Sequence, residues 1–426
     1  MIVGIVACFL NAIALFVVIP HFSSRMGLYY NQDVYADGYN EIAATIANGG
    51  GYRFFPDTAQ TVMREPGYPL FLAGIFFVFG ENLTAVKLAN MILALASAWL
   101  VVKIARKISN NEVLILASPV LFLLHPGVLI AESRGGVEIL FTFCLSLFVF
   151  ALYRAIESNR FGDYMASGGA LGLTVLVKST LMLFPIFLLG YLLIFVREGV
   201  RATCRNVGLM VVTMFIVLSP WIVRNYTVTG KFIPTASVLG ISAHSGQYVC
   251  ENLSSDNLRK DVDTQGARER RRIALELGYP FKDIEGAYYQ YFYSTGDEIK
   301  FSNFLLGKVV SEYESSPKLL VRCTRSNLFD FWFAGKTWQS TKMNMVVQIP
   351  YLLLAVVGVG LSWREHQLRV IAPLILLIIY TVAVYAPILA QARYSVPIIP
   401  FLSILASLAL AAARRRFSGS GAMENQ

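Results

Sequence analysis

Charge is scarce in this sequence. Only 15% of its 426 residues are Asp, Glu, Lys or Arg, where ordinary soluble domains carry about a quarter. With 56% hydrophobic residues and a mean hydropathy of +0.57, a soluble globular domain is excluded and a polytopic membrane protein remains. Cysteine is sparse too: five residues, with no C-x-x-C spacing of the kind that binds a metal. Cys8 and Cys144 fall in apolar runs and Cys204 in a basic loop. Cys250 and Cys323 share a long polar segment, where a disulfide and two separate thiols are both open. No half of the chain repeats the other, as the halves of many transporters do. The net charge of +9 is spread over short loops and a basic tail, so it is no nucleic-acid patch.

Apolar runs are what the chain has in abundance. A bilayer core takes about 20 apolar residues per helix. The expected spans are Ile2–Ile19, Leu83–Ala105, Val113–Leu129, Val137–Tyr153, Tyr164–Val177, Thr180–Val196, Val207–Val223, Met345–Leu361, Leu368–Pro387 and Val396–Ala413. The fold class is therefore all-α, a bundle of about ten transmembrane helices in a single integral membrane domain. The first span lacks a basic flank and a small-residue cleavage site, and is expected to be a retained anchor. The apolar run Gly67–Gly80 is too short to cross and is expected at the interface. One set of short loops holds Lys103, Arg106, Lys107, Arg154, Arg160, Arg197, Arg201, Arg205, Arg364, Arg369 and Arg414–Arg416. Basic loops stay cytoplasmic. Both termini are then inside, while a first loop over 22–66 and a long loop over 224–344 face outward.

The remaining polar residues concentrate on that outer side. In the first loop, Ile42, Ala43, Ile46 and Ala47 recur at helical spacing before Gly49–Gly51, and Asp37 stands where a helix N-cap belongs. Asp33 lies just upstream. Arg64 and Glu65 precede Pro66 and the interfacial run, which holds them at headgroup depth. Glu138 falls inside an apolar stretch, a costly place for a carboxylate unless paired or facing a wet cavity, with Arg134 the expected partner. Trp221 is an interface anchor from which Arg224 and Asn225 project, and Arg393 with Tyr394 comes to the same surface ahead of the last span. The long loop is rich in aromatics, at Tyr288–Tyr293 and Phe329–Trp338, so it is expected to be folded.

An acid ahead of Tyr39-x-x-Ile42-Ala43, a Gly49–Gly51 stretch with Tyr52, Arg64-Glu65-Pro66-Gly67-Tyr68-Pro69, Pro220-Trp221-x-x-Arg224-Asn225 and Ala392-Arg393-Tyr394-x-x-Pro397 occur in that order. The pattern, over almost the whole chain, resembles the polyprenyl-phosphate-sugar-dependent glycosyltransferases of the GT-C fold. The nearest branch looks like protein mannosyltransferases, aminoarabinose transferases and rhizobial galacturonosyltransferases. The resemblance implies inverting transfer from a lipid monophosphate sugar to an acceptor hydroxyl or phosphate. It implies Asp37 as base, with Asp33 the alternative, because Tyr35 stands where many relatives carry the acid. It matches Glu138 to the second acidic position, with Glu132 as competitor. Arg64, Arg224 and Arg393 are expected to hold the donor phosphate, with Glu65, Tyr39, Asn225 and Tyr394 around them. A leaving group that already carries its charge on phosphate needs no metal and no cofactor; the lipid-linked sugar is a co-substrate. Expected partners are that lipid, membrane lipid and a glycan, lipid or protein acceptor, at the outer side of a bacterial plasma membrane. A lipid-linked-sugar transporter or flippase, or an O-antigen ligase or polymerase, is the competing reading.

Overall fold

The computed structural model describes residues 2–19, 21, 37–196, 199–254, 259–284 and 287–420. Helix dominates them. In chain order the helices are α1 (Ile2–Ile13), α2 (Tyr39–Ala47), α3 (Gly67–Phe79), α4 (Leu83–Ile108), α5 (Glu112–Leu123), α6 (Pro126–Ser133), α7 (Glu138–Ser158), α8 (Phe161–Val177) and α9 (Phe184–Tyr191). They continue as α10 (Val200–Thr229), α11 (Leu239–Asn252), α12 (Arg259–Glu276), α13 (Thr295–Ser315), α14 (Pro317–Phe333), α15 (Trp338–Arg364), α16 (Leu368–Tyr385) and α17 (Ile399–Ser420). The strands described, β1 (Phe281–Lys282) and β2 (Tyr291–Phe292), pair antiparallel.

Among the described residues, six stretches are long and apolar enough to cross a bilayer: α4, α7, α10, α15, α16 and Ala392–Arg415. Helices α5 and α6, bent by 47° to each other, make a seventh if taken as one broken span. Helix stands at each of the ten expected places, and six or seven of these meet the length and apolarity a bilayer requires. Pro126 at the start of α6 explains the break, since the residue before a proline is driven out of the helical region; His125 there is extended.

Lipid offers no hydrophobic drive between helices, so close contact has to come from small residues. A methyl group on Gly168 of α8 would lie 2.2 Å from the Met210 carbonyl oxygen of α10, and one on Gly358 of α15 would lie 2.0 Å from that of Leu405 in α17. Four buried hydroxyls are satisfied within their own helices: Ser118, Thr142, Thr174 and Thr381 each donate to the carbonyl four residues back. The thirteen residues of α3 extend about 20 Å, short of a roughly 30 Å core. Its Tyr68, Leu72 and Phe76 are buried while Leu70, Phe77, Val78 and Phe79 are exposed.

The two expected outer loops form one body. Ile42, Tyr52, Phe54 and Met63 of the first pack with Ile241, Ile273, Tyr289, Tyr291, Phe292 and Phe301 of the second in a single core. Ser237 N donates to the Val62 carbonyl at 2.8 Å, and Lys282 pairs with Asp57 at 2.8 Å. Helices at both ends reach into the expected 224–344 segment. Helix α10 continues to Thr229 and stops at Gly230 in the left-handed region, so Arg224 and Asn225 are helical. At the other end a capping box of Thr337 and Ser340 starts α15 six residues ahead of Asn344. Backbone hydrogen bonding has no reason to end where the side chains turn polar; a cap or a left-handed glycine ends it.

Of the two thiol states open from sequence, Cys250 and Cys323 are a disulfide joining α11 to α14 across 73 residues, while Cys144 and Cys204 are free. Closing a loop of that size removes about 4 kcal/mol of unfolded-state entropy. The double substitution Cys250→Ser, Cys323→Ser should lower the melting temperature and expose 230–337 to limited proteolysis. Unchanged cleavage would show that the link carries no stability.

Candidate functional site

The site forms where the loop body meets the helix bundle. Gly38, at φ 76°, takes the left-handed turn that starts α2, and a side chain on it would strike the Phe54 ring at 2.6 Å. The helix has no side-chain cap. Asp37 is thus not the N-cap residue its position implied: its carboxylate is taken by Arg393, which donates at 2.5 and 3.0 Å to its two oxygens. A two-point guanidinium contact outcompetes a neutral backbone N–H. Burial alone would raise the Asp37 carboxyl, but the charge and hydrogen bonds of Arg393, with Arg64 and Lys178 nearby, hold it well below the usual carboxylate range. Asp33, the alternative base, lies outside the described residues.

Glu138, buried in the first turn of α7, approaches the same guanidinium at 3.6 Å through Oε1, which accepts no hydrogen bond. Arg393 therefore stands between two carboxylates. Glu132 is elsewhere in the bundle, fully buried and held by Asn11 at 3.2 Å.

Arg64 is buried at 7% exposure between the rings of Tyr39 and Tyr289, at 4.9 and 4.5 Å. Its Nε and Nη2 are buried with no acceptor. An unsatisfied charged donor is expensive to keep, so the aromatic faces hold an arginine whose hydrogen-bonding capacity is unspent. The Tyr52 hydroxyl donates to the carbonyls of both Arg64 and Glu65 and fixes this stretch. Glu65 accepts from Ser179, from its backbone N at 3.1 Å and its hydroxyl at 2.7 Å. Next to Ser179, Lys178 lies over the stacked rings of Tyr394 and Tyr385, at 4.3 and 5.3 Å.

Arg224 and Asn225 are placed differently. Arg224 lies on Tyr52 and Trp221 and donates to the Thr61 carbonyl at 2.7 Å and the Tyr52 carbonyl at 3.4 Å. Asn225 binds the carbonyls of Ile233 and Thr235. Both clamp the loop body onto α10. Of the sequence-expected residues, the structure gathers Asp37, Tyr39, Arg64, Glu65, Glu138, Arg393 and Tyr394. It adds Lys178, Tyr289 and Tyr385, whose sequence signals were a lone cation between two apolar runs, an aromatic cluster in the long loop and an aromatic at the end of a span. Among the described residues, no three His, Cys, Asp or Glu side chains gather as a metal site would need.

With this geometry in hand, the chain can be set beside known proteins. Residues 63–223 match the family described as dolichyl-phosphate-mannose-protein mannosyltransferase. Over 152 residues the chain is 28% identical to undecaprenyl phosphate-alpha-4-amino-4-deoxy-L-arabinose arabinosyl transferase 1 of Pseudomonas fluorescens (strain Pf0-1), covering 34% of this chain and 26% of that protein. The oligosaccharyltransferase AglB from Archaeoglobus fulgidus, in complex with an inhibitory peptide and a dolichol-phosphate, superimposes with a TM-score of 0.57 at 13% identity. That match takes in 99% of this chain and 51% of the other. The same enzyme tethered to an acceptor peptide gives 0.51, again at 13% identity, over 99% of this chain and 50% of that one. The fold is GT-C. The chain spans about a quarter of the arabinosyl transferase and half of the oligosaccharyltransferase. Within the GT-C chain, Arg64, Glu65, Glu138 and Lys178 lie inside the family-matched segment, and Asp37 and Arg393 outside it.

The two halves of the loop body are joined by Glu298, which accepts from the Thr61 hydroxyl at 2.6 Å and from Val62 N at 3.0 Å. Burial lifts its pKa from 4.5 to about 7 against those hydrogen bonds. A raised folded-state value means that its contribution is fully present below about pH 4.5 and is lost as pH rises through 7. The melting temperature should fall between about pH 4.5 and 7 and level off above that, and Glu298→Gln should flatten that slope. An unchanged slope in the variant would assign it to another group.

Proposed function

We propose that this protein is an integral membrane glycosyltransferase that moves a sugar from a polyprenyl-phosphate donor to an acceptor at the outer face, with inversion. The observation that carries the reading is the pairing of unspent cationic donors with two carboxylates around one guanidinium. Phosphate needs donors that no protein group has already taken. Arg64 offers two, buried and oriented by Tyr39 and Tyr289, with the Lys178 ammonium on the adjoining wall. The names of the relatives are consistent with such a donor: one refers to an undecaprenyl phosphate-linked sugar, and the other structure holds a dolichol-phosphate.

In this scheme the acceptor oxygen attacks the anomeric carbon from the side opposite the phosphate. The new C–O bond forms as the sugar–phosphate bond breaks, and a single displacement inverts the centre. The acceptor proton passes to a carboxylate, and the polyprenyl phosphate leaves with its charge against Arg64 and Lys178. Asp37 is ionised throughout the physiological range, and Arg393 orients both it and Glu138. The buried, unpartnered Oε1 of Glu138 and the half-buried edge of Asp37 are where an incoming hydroxyl can donate. Outer-face action is supported by the disulfide in the loop body and by the basic residues in the opposite loops.

Asp37→Asn should cut kcat by about 10²–10⁴-fold while leaving the melting temperature within a few degrees. Full activity would remove Asp37 from the chemistry. Arg64→Ala should raise the donor KM by roughly ten- to a hundredfold and the acceptor KM far less. Equal loss for both substrates would contradict a phosphate-holding role.

A further inference from the structure

Away from the reaction site, a half-open cavity of about 170 Å³ lies in the loop body between α11, α12 and α13. That is room for on the order of ten ordered waters, or for one sugar ring. Its walls carry His244, Gln247 and Tyr248 from α11, Glu269 from α12, and Lys308 and Glu312 from α13. Gln247 donates to Glu312, and Glu269 is balanced by Arg272 at 2.7 Å. Glu251 and Asn252 of α11 complete the lining, so three carboxylate side chains, two amides and one ammonium surround the space.

His244 is the telling member. It is 4% exposed, stacks on Tyr248, makes no hydrogen bond, and its Nδ1 is wholly buried. Burial, with Arg270 and Lys308 nearby, pushes its pKa down to about 3, so the ring is neutral. A neutral imidazole can both give and take one hydrogen bond, as a sugar hydroxyl can. Carboxylates that accept from neighbouring hydroxyls, beside a Lys and a Gln side chain, complete a set suited to a polyhydroxylated, uncharged ligand.

The opposite face of α11 ties this cavity to the chemistry. A methyl group on Gly246 would lie 1.8 Å from the Ile388 carbonyl oxygen, so that face presses on the segment leading to Arg393. The cavity and that segment are separated by about one helix diameter, roughly 10 Å. We infer that the cavity is an anchoring subsite for a saccharide unit of an extended acceptor glycan, one helix away from the unit that receives the new sugar. This rests on the transferase reading above.

The test is saturation-transfer NMR on the full chain in lipid nanodiscs, with methyl α-glucopyranoside, methyl α-galactopyranoside and methyl α-mannopyranoside as probes. At least one should bind, and His244→Phe, which fills the cavity, and Glu312→Gln should each weaken that glycoside at least about tenfold. Glu312→Gln keeps the test valid if the larger substitution disturbs folding. No transfer from any of the three, or equal transfer in wild type and Glu312→Gln, overturns the subsite. Asp37→Asn should retain binding, which separates the two claims. Binding in a protein that transfers no sugar would sink the enzyme reading and with it the acceptor role, leaving a saccharide site, and transfer without glycoside binding would sink the subsite alone.

Discussion

Asp37 and Arg393 stand 356 positions apart in the chain, and the contact between their side chains organises the polar side of the molecule. It connects the start of the loop body to the first turn of the last membrane-spanning stretch. It also brings Glu138, from the head of α7, to within reach of the same guanidinium. In a half-buried setting, loss of one partner leaves the other charge uncompensated, a defect that costs about 3–5 kcal/mol when burial is complete. Three elements that share no local sequence therefore meet at one point.

Two cations at this site keep donors that no carboxylate takes up. Aromatic faces hold them instead: Tyr39 and Tyr289 for Arg64, Tyr385 and Tyr394 for Lys178. A ring contributes roughly 0.5–2 kcal/mol of attraction to a cation and takes up none of its N–H groups. Arg224 shows the opposite solution. It too lies on aromatic rings, but its donors end on backbone carbonyls, and it acts as a clamp.

The loop body works as a wedge against the segment that carries Arg393. Asn327 donates to the Ala386 carbonyl at 2.9 Å, and Arg259, paired with Asp330 at 2.6 Å, donates to that of Ala390 at 2.8 Å. Gly246 lets α11 approach Ile388. The Cys250–Cys323 disulfide braces α11 against α14, which supplies Asn327 and Asp330. Arg393 is thus braced through the segment that precedes it.

By itself the sequence determined what depends on composition and local chemistry. Apolar runs place the helices, because a bilayer core penalises charge wherever it occurs in the chain. Pro66 and Gly49–Gly51 mark helix ends, and the aromatic content of the long loop announced a folded core. The order of short motifs pointed to the GT-C fold and to Asp37, Arg64, Glu138 and Arg393. Tertiary structure alone decided which of these charges face each other. It turned Asp37 from a cap into the partner of Arg393, set Glu138 beside that same arginine, gave Arg224 to the backbone, and brought in Lys178 and Tyr289. Such pairings arise from the packing of elements hundreds of residues apart, and no local pattern of side chains encodes them.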